Sequence, residues 1–293
     1  MESVKIFARA KINTALDILG RRADGYHEIR TVMQQLLLSD ELLLQKTNEA
    51  GNNTFTFRCA DPALPADGSN LVCKASRYLI ETYHITQPFT VSLIKNIPVS
   101  AGLAGGSSDC AAALMGINTL FDLKIPRSQL LEIGKGFGAD VPFCLTGGPA
   151  LAEGIGEILT PLPPHPEVFI VLARLPAEVS TREIFRLYDR SDNTCHPDIG
   201  AMTDACYAGD AGRIARCFGN ALQSVTAGMH PEILPLIKTM RDFGAMNASM
   251  TGSGPTVFGY FHTKEDAEYC MAEIKRKNPP VRDVILTGVY NNP

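Results

Sequence analysis

A run of small residues lies where a strand-like segment meets an apolar segment, and its composition suits phosphate binding. Gly102, Gly105 and Gly106 are followed directly by Ser107 and Ser108. Glycines let backbone N–H groups converge on an anion, and a helix that begins here adds partial positive charge. The serine hydroxyls can cap that helix or contact a phosphate or a metal ion. The run predicts an anion site, although a tight turn entering a packed helix explains the same composition.

Neither of two common phosphate-binding sequences accounts for this loop. A Walker loop needs a lysine before its serine or threonine, whereas Gly106 is followed directly by Ser107. A dinucleotide-binding GxGxxG normally opens the first strand–helix turn of its domain, and this run lies well inside the chain.

Two charged residues are candidates for proton transfer and for stabilising phosphoryl charge. Lys11 lies between Ala10 and Ile12 in a strand-like run, where a charged residue ordinarily marks the solvated face. Asp140 lies two residues before Pro142, an arrangement typical of a helix N-cap with proline in the first turn. From the local sequence alone, the structural and the chemical interpretations both stay open.

Two further segments are turn-like. Tyr26 and His27 follow the polar turn at residues 20–25. Both rings can be ordinary surface side chains at such a position. The segment TGSGP at residues 251–255 joins two strand-like runs, which predicts a hairpin turn.

Composition excludes several classes of protein. Of the 293 residues, 45% are apolar and 20% are charged, which is typical of a globular protein with about two domains. The net charge of −4 offers no basic excess for nucleic acid or acidic membranes. The eight cysteines contain no CxxC pair, which argues against zinc or disulfide frameworks and favours the cytoplasm. The first residues show no secretory signal, and no apolar run approaches a membrane span.

Periodicity predicts the elements that must position these residues. Strands are predicted at residues 4–13, 14–19, 29–38, 41–45, 54–58, 89–94, 168–173, 245–250, 255–261 and 282–289. Helices are predicted at residues 70–83 (capped by Ser69), 109–121, 126–137 (capped by Ser128), 181–188, 198–207, 210–218, 231–243 and 264–277. The proline-rich segment at residues 161–166 cannot continue a helix, which predicts a linker or an edge segment. A strand-rich first half and a mixed second half predict an α+β protein with two lobes.

Three of these segments together resemble a known family. The segments AKIN (residues 10–13), IPVSAGLAGGSS (residues 97–108) and MTGSGP (residues 250–255) are similar, in order and spacing, to the three motifs of the GHMP kinases. This family includes galactose, homoserine, mevalonate and phosphomevalonate kinases. The middle motif is the most specific of the three.

Three other segments are similar to one branch of that family. They are GRRADGYH (residues 20–27), GADVP (residues 138–142) and AEGIGEILTP (residues 152–161). The resemblance implies ATP-dependent phosphorylation of the 2-hydroxyl of 4-diphosphocytidyl-2-C-methyl-D-erythritol, in the non-mevalonate isoprenoid route. It also implies a lobe like ribosomal protein S5 domain 2 over residues 1–160, a ferredoxin-like lobe over residues 161–293, and an active site in a cleft between them.

The resemblance also implies a role for individual residues. Asp140 is expected to accept the proton of the substrate hydroxyl, with Lys11 beside it to hold the carboxylate ionised and offset phosphoryl charge. The expected ATP contacts are Asn70, Lys95, Pro98, Val99, Ser100, Ala101, Gly102, Leu103, Ala104, Gly105, Gly106, Ser107, Ser108, Gly252 and Gly254. The expected substrate contacts are Asn13, Tyr26, His27, Thr181 and Phe185, with Tyr26 and Phe185 enclosing the cytosine ring and His27 at its polar edge.

The resemblance also bears on the metal ion, two loop alanines, the partners and the alternative functions. ATP chemistry implies Mg²⁺, but Asp109 is the one acidic residue near Ser108 and the metal ligands are not identified. Relatives often carry glycine where Ala101 and Ala104 stand, and a methyl group there requires a negative φ. The expected partners are ATP and a small molecule, with no nucleic acid or membrane, and monomer and homodimer both stay open. The alternatives are a homoserine or mevalonate-type kinase, and a ligand sensor that has kept the fold without the chemistry.

Overall fold

A computed structural model describes residues 1–48, 54–61, 64–65, 67–191, 195–277 and 280–291. The chain forms two compact units. The first unit comprises Met1–Ala10, Leu38–Val99 and Ala104–Thr146, and the second comprises Lys11–Leu37, Ser100–Leu103 and Gly147–Pro293. The boundary predicted after residue 160 concerns the two lobes of the family fold and stays a prediction.

Two long strands contribute residues to both units. Strand β1 spans Ser3–Arg21 and β2 spans His27–Lys46. The breaks predicted at residues 13–14 and 38–41 do not occur. Residues 10–18 of β1 are all buried, so this stretch lacks the alternation of a strand with one solvated face.

The first unit contains the beginning of β1, the end of β2 and six further elements. These elements are β3 (Phe55–Cys59), α1 (Leu71–Tyr83), β4 (Phe89–Ile94), α2 (Gly105–Leu120), α3 (Arg127–Lys135) and α4 (Asp140–Thr146). Strand β4 pairs antiparallel with β2 and parallel with β3. Helix α2 is buried around most of its circumference, as its apolar sequence predicts, and contributes much of the core of this unit.

Both serine caps predicted in this unit are wrong. Helix α1 is capped by Asn70, whose side chain accepts a hydrogen bond from the Val72 N–H at 2.9 Å. Ser69 instead bonds to Asp67. Helix α3 begins directly after Pro126, which is its N-cap residue, and no side chain caps it.

The second unit contains the remaining elements. They are β5 (Ala150–Glu153), β6 (Ile158–Pro161), β7 (Phe169–Arg174), α5 (Thr181–Tyr188), α6 (Ile199–Ala208), α7 (Ala211–Arg216), β8 (Gly219–Asn220), α8 (Gln223–Met229), α9 (Ile233–Asp242), β9 (Asn247–Met250), β10 (Thr256–Phe261), α10 (Lys264–Lys277) and β11 (Asp283–Gly288). The strand order β11-β7-β10-β9, antiparallel throughout, is that of a ferredoxin-like sheet. Helices α9 and α10 supply apolar residues to the core of this unit.

Sequence periodicity missed five short elements, which are α4, β5, β6, β8 and α8. A segment of a few residues contains too few positions for a period of 2 or 3.6 to be recognised. Within the described ranges, none of the helices has the length and hydropathy that a membrane crossing needs.

Candidate active site

The glycine loop contains three residues with left-handed backbone. Ser100, Gly102 and Ala104 have φ angles of 58°, 74° and 57°. The expectation that alanine at position 104 keeps a negative φ is therefore wrong. A side chain in this region costs about 1–2 kcal/mol, so the surrounding fold must hold Ala104 in place.

Residues 100–103 of the loop lie against the first and third sequence motifs, all within the second unit. The Lys11 N–H donates to the Leu103 carbonyl at 3.1 Å. Thr256, which directly follows the third motif, donates from its hydroxyl to the Ala101 carbonyl at 2.6 Å. The fold therefore brings parts of three motifs, far apart in sequence, into direct contact.

Glycine is required where the loop meets the third motif. A Cβ atom on Gly102 would lie 2.8 Å from the Gly254 carbonyl oxygen, closer than real contacts allow. Gly252 also approaches the loop, since a Cβ atom there would lie 3.5 Å from the Gly102 oxygen. The turn at residues 251–255 joins β9 to β10 in a hairpin, as predicted, and packs on this loop.

Lys11 is buried in a polar network rather than solvated. Its residue exposure is 5%, so the interpretation as a solvated strand face is wrong. Its ammonium donates to Asn13 Oδ1 at 2.8 Å. The Asn13 backbone N–H donates to Thr251 Oγ1, and its side-chain amide donates to Thr31 Oγ1, each at 2.9 Å. A buried ammonium is stable only where partners stabilise its charge, and Asn13 Oδ1 is one such partner.

A second buried ammonium lies in the first unit, between two carboxylates. Lys95 Nζ donates to Asp109 Oδ2 at 2.8 Å and also to Asp40 Oδ2. Asp40, which is fully buried, uses its other oxygen to accept from the Asn96 and Ile97 N–H groups at 2.6 and 2.7 Å. This Asp40–Lys95–Asp109 cluster ties β2 and the residue after β4 to the second turn of α2.

Charge in this cluster is not fully compensated. Burial raises the pKa of Asp109 above its usual range. The nearby Asp40 carboxylate raises this pKa further, since both carboxylates share the Lys95 ammonium. Burial alone would lower the pKa of Lys95, but its contacts with Asp109 and Asp40 outweigh that effect and raise it. Asp109 Oδ1 is buried and has no hydrogen-bond partner within the described residues.

The first turn of α2 has two different faces. Ser108 is buried, and its hydroxyl donates to the Arg9 carbonyl at 2.5 Å and lies 3.2 Å from Cys144 Sγ. Gly106 is exposed, and Gly105 and Ser107 are partly exposed. The accessible residues at the start of α2 are therefore residues 105–107.

Three further predicted residues lie at the starts of helices. Asp140 is the first residue of α4 and is half-buried, so it lies within the helix rather than before it. Asn70 uses its amide to cap α1 and to donate to the Pro65 carbonyl at 2.9 Å. Thr181, the first residue of α5, exchanges a hydrogen bond with Ser253 at 3.0 Å.

Two of the residues expected to read the cytosine ring form a pair of stacked rings in the second unit. The rings of His27 and Phe185 stack with centroids 4.7 Å apart and an interplanar angle of 28°. His27 Nε2 lies 2.6 Å from Asp189 Oδ1. Tyr26 is 62% exposed, so its ring is available to a ligand from solvent.

Family models match two segments of the chain. One, described as the GHMP kinases N terminal domain, covers residues 70–148. The other, GHMP kinases C terminal, covers residues 202–279.

Relatives that align over nearly the whole chain show which GHMP kinase family it belongs to. A 4-diphosphocytidyl-2-C-methyl-D-erythritol kinase of Lachnospira eligens is 43% identical over 290 residues, which covers 99% of each chain. The enzyme of that name from Lachnoclostridium phytofermentans is 41% identical over 100% of this chain and 99% of its own. The chain belongs to the 4-diphosphocytidyl-2-C-methyl-D-erythritol kinase family. Its GHMP kinase fold, expected from the three motifs, is thereby confirmed.

Solved structures agree with membership of this kinase family. A crystal structure of 4-(cytidine 5'-diphospho)-2C-methyl-D-erythritol kinase superposes with a TM-score of 0.83 at 27% identity, covering 99% of this chain and 100% of that one. A homoserine kinase from Cytophaga hutchinsonii reaches a TM-score of 0.79 at 21% identity, covering 100% and 96%. The homoserine kinase shows a shared fold only, so it does not favour the alternative of a homoserine kinase here.

Sequence reasoning missed Asp40 and Asp189 as partners of predicted site residues. Asp40 interrupts an apolar run and reads as a turn residue. Asp189 follows Phe185 by four residues, so it lies on the same side of a helix. That spacing was the one available signal.

Proposed function

We propose that this protein transfers the γ-phosphoryl group of ATP to the 2-hydroxyl of 4-diphosphocytidyl-2-C-methyl-D-erythritol. The products are the 2-phosphate and ADP, in the non-mevalonate synthesis of isoprenoid precursors. The observation that carries this proposal is the 43% identity, over 99% of both chains, to a kinase of that name. A cytoplasmic location, and the absence of nucleic-acid and membrane partners, stay predictions from composition.

Asp140 is proposed as the group that accepts the hydroxyl proton. An alcohol is a weak nucleophile, and a carboxylate within hydrogen-bond reach can take its proton as the new P–O bond forms. Asp140 is half-buried at the start of α4, which is compatible with contact to a bound molecule.

Lys11 is proposed to offset the charge on the transferring phosphoryl group. Its ammonium is held by Asn13, which is itself fixed by Thr31 and Thr251. A preorganised cation of this kind needs no rearrangement as charge develops, which is the property that electrostatic catalysis requires.

The start of α2 is proposed to bind the phosphates of ATP. Helix α2 has 16 residues, and the N–H groups of its first turn point toward its N-terminus, where an anion is favoured. Lys95 supports this turn, since its Nζ lies 2.9 Å from where a Cβ atom of Gly105 would stand.

Asp109 is the residue proposed to hold Mg²⁺. Its orphaned Oδ1 is a hard oxygen donor of the kind that Mg²⁺ prefers, and Mg–ATP sites commonly use one or two protein carboxylates. Bound there, Mg²⁺ would neutralise phosphate charge.

The function is tested by measuring ATP consumption with three candidate substrates in parallel. We expect turnover with 4-diphosphocytidyl-2-C-methyl-D-erythritol and background rates with homoserine and mevalonate. Preferred turnover of homoserine or mevalonate would contradict the proposed substrate. ATP binding without turnover of any of the three would favour a ligand sensor.

Gly106→Ala is expected to weaken ATP binding without destabilising the protein. A Cβ atom at this position would lie 3.9 Å from Leu71 Cδ1, which is ordinary contact, and alanine is the better helix former. We expect an affinity loss of about tenfold by calorimetric titration, or about 1.4 kcal/mol, with an unchanged or higher Tm. Unchanged affinity would mean that phosphate does not lie against this turn.

Gly105→Val is a less direct test of phosphate binding. Its side chain would lie against Lys95 Nζ and, at 3.2 Å, against Ile97 Cγ2, so it disturbs the protein before any ligand binds. We expect this variant to lose both Tm and ATP affinity, in contrast with Gly106→Ala.

Phe185→Ala is expected to raise the KM for the cytidyl substrate by roughly 5–150-fold. A stacked base contributes about 1–3 kcal/mol by alanine substitution. Phe185 is half-buried and stacks on His27, whereas its neighbour Ile184 is in the core. Ile184→Val is therefore the matched control, expected to lower Tm and to leave KM unchanged. A Phe185→Ala variant with lowered Tm and unchanged KM would show that this ring is only part of the core.

A further inference from the structure

Helix α5 presents two chemically different groups to one histidine. Phe185 and Asp189 are separated by one helical turn and lie on the same side of α5, Asp189 being its C-cap residue. Phe185 stacks on the face of the His27 ring, and Asp189 meets the ring edge at Nε2, 2.6 Å away. The His27 side chain is 9% exposed, so its orientation is fixed by these two contacts.

The contact with Asp189 decides which nitrogen of the ring carries hydrogen. An ionised carboxylate can only accept hydrogen bonds, so His27 Nε2 must bear the proton that lies between the two atoms. In the neutral ring, Nδ1 is then unprotonated and acts as an acceptor. Carboxylates set histidine tautomers in this way in catalytic triads, where replacement by asparagine yields the wrong tautomer.

We infer that Asp189 is a positioning residue that makes His27 Nδ1 a hydrogen-bond acceptor for the exocyclic amino group of the substrate base. This inference rests on the proposed function, since it assumes that His27 reads the cytosine ring. Cytosine presents an amino donor at its 4-position, whereas uracil presents a carbonyl acceptor there. An acceptor on the protein accepts a hydrogen bond from the cytosine amino group. It disfavours the uracil carbonyl, because two acceptors facing each other have no hydrogen to share.

The second oxygen of Asp189 is engaged more weakly. Arg21 Nη1 lies 3.8 Å from Asp189 Oδ2, with its side chain 65% exposed. An exposed pair at this distance contributes little. The hydrogen bond to His27 is therefore the stronger of these two contacts of Asp189.

Nitrogen NMR of the free wild-type protein tests the tautomer without any substrate. Protonated and unprotonated imidazole nitrogens have well-separated ¹⁵N shifts, so the state of His27 can be read directly at a pH where the ring is neutral. We expect hydrogen on Nε2 in the wild type and a mixture of both tautomers in Asp189→Asn. Hydrogen on Nδ1 in the wild type, or an unchanged tautomer in the variant, would overturn the inference.

Kinetics with cytidyl and uridyl forms of the substrate test the consequence for specificity. We expect Asp189→Asn to reduce the ratio of kcat/KM for cytidyl over uridyl substrate by roughly tenfold, or about 1.4 kcal/mol. Asp189→Glu keeps the carboxylate and is expected to restore part of the ratio. Asp242→Asn makes the same substitution in an exposed ion pair with Lys238 and is expected to leave the ratio unchanged.

The two tests separate failure of the inference from failure of the proposed function. A wild type without turnover of the cytidyl substrate contradicts the proposed function, while the NMR result still decides whether Asp189 sets the tautomer. A wild type that turns over the cytidyl substrate, with the same ratio in Asp189→Asn, overturns the inference and leaves the proposed function standing.

Discussion

Asp140→Asn is expected to lower kcat by about 10²–10⁴-fold, the range that general base catalysis contributes. The amide has nearly the shape of the carboxylate but cannot accept the proton of the substrate hydroxyl. ATP affinity and Tm should stay close to those of the wild type, because the substitution adds no volume. Single-turnover kinetics and a calorimetric ATP titration measure the two quantities separately.

Asp122→Asn is the matched control for this variant. It makes the same substitution in the first unit at a side chain that is 81% exposed. Its φ of 50° is one that asparagine adopts readily. Turnover of Asp140→Asn within a few-fold of the wild type would exclude Asp140 as the base.

Lys11→Met is expected to lower kcat by about 10²–10³-fold, as loss of one preorganised charge-stabilising group does in other enzymes. Methionine keeps most of the aliphatic length but removes the donor to Asn13 Oδ1. An unpaired buried acceptor costs about 1–3 kcal/mol, so a lower Tm is expected as well. Turnover should be measured well below that Tm.

Thr31→Val separates the charge of Lys11 from the network around it. Thr31 Oγ1 accepts from the Asn13 amide, and valine has the same shape without the hydroxyl. We expect Thr31→Val to lower Tm with a much smaller effect on kcat than Lys11→Met. Equal losses of kcat in both variants would mean that Lys11 acts only by holding the network.

Local sequence patterns predicted those helices and strands whose own apolar residues follow a clear period. The bounds of β4, α5 and α10 match the predicted residues 89–94, 181–188 and 264–277. The pattern of apolar positions and turn residues within such a segment suffices to define it. The motifs likewise predicted the family, because they depend on residue types at short spacing.

The burial of Lys11 could not be predicted locally. Lys11 reads as a solvated residue by type, yet it lies in a stretch of β1 that is buried throughout. Whether a strand is covered on one face or both depends on what packs on it, and those neighbours come from elsewhere in the chain.

The sequence by itself determined the residues on which the proposed chemistry depends: a glycine-rich loop, one lysine, one aspartate and the segments shared with its kinase family. Only the tertiary structure decided which carboxylates support them. Asp40 contacts Lys95 across 55 residues, and Asp189 contacts His27 across 162 residues. Asp40 reads as a turn residue between two strands, but β2 continues through it because Lys95 and two backbone N–H groups satisfy its charge. A buried carboxylate is stable only where such partners converge, and distant partners converge only when the chain has folded.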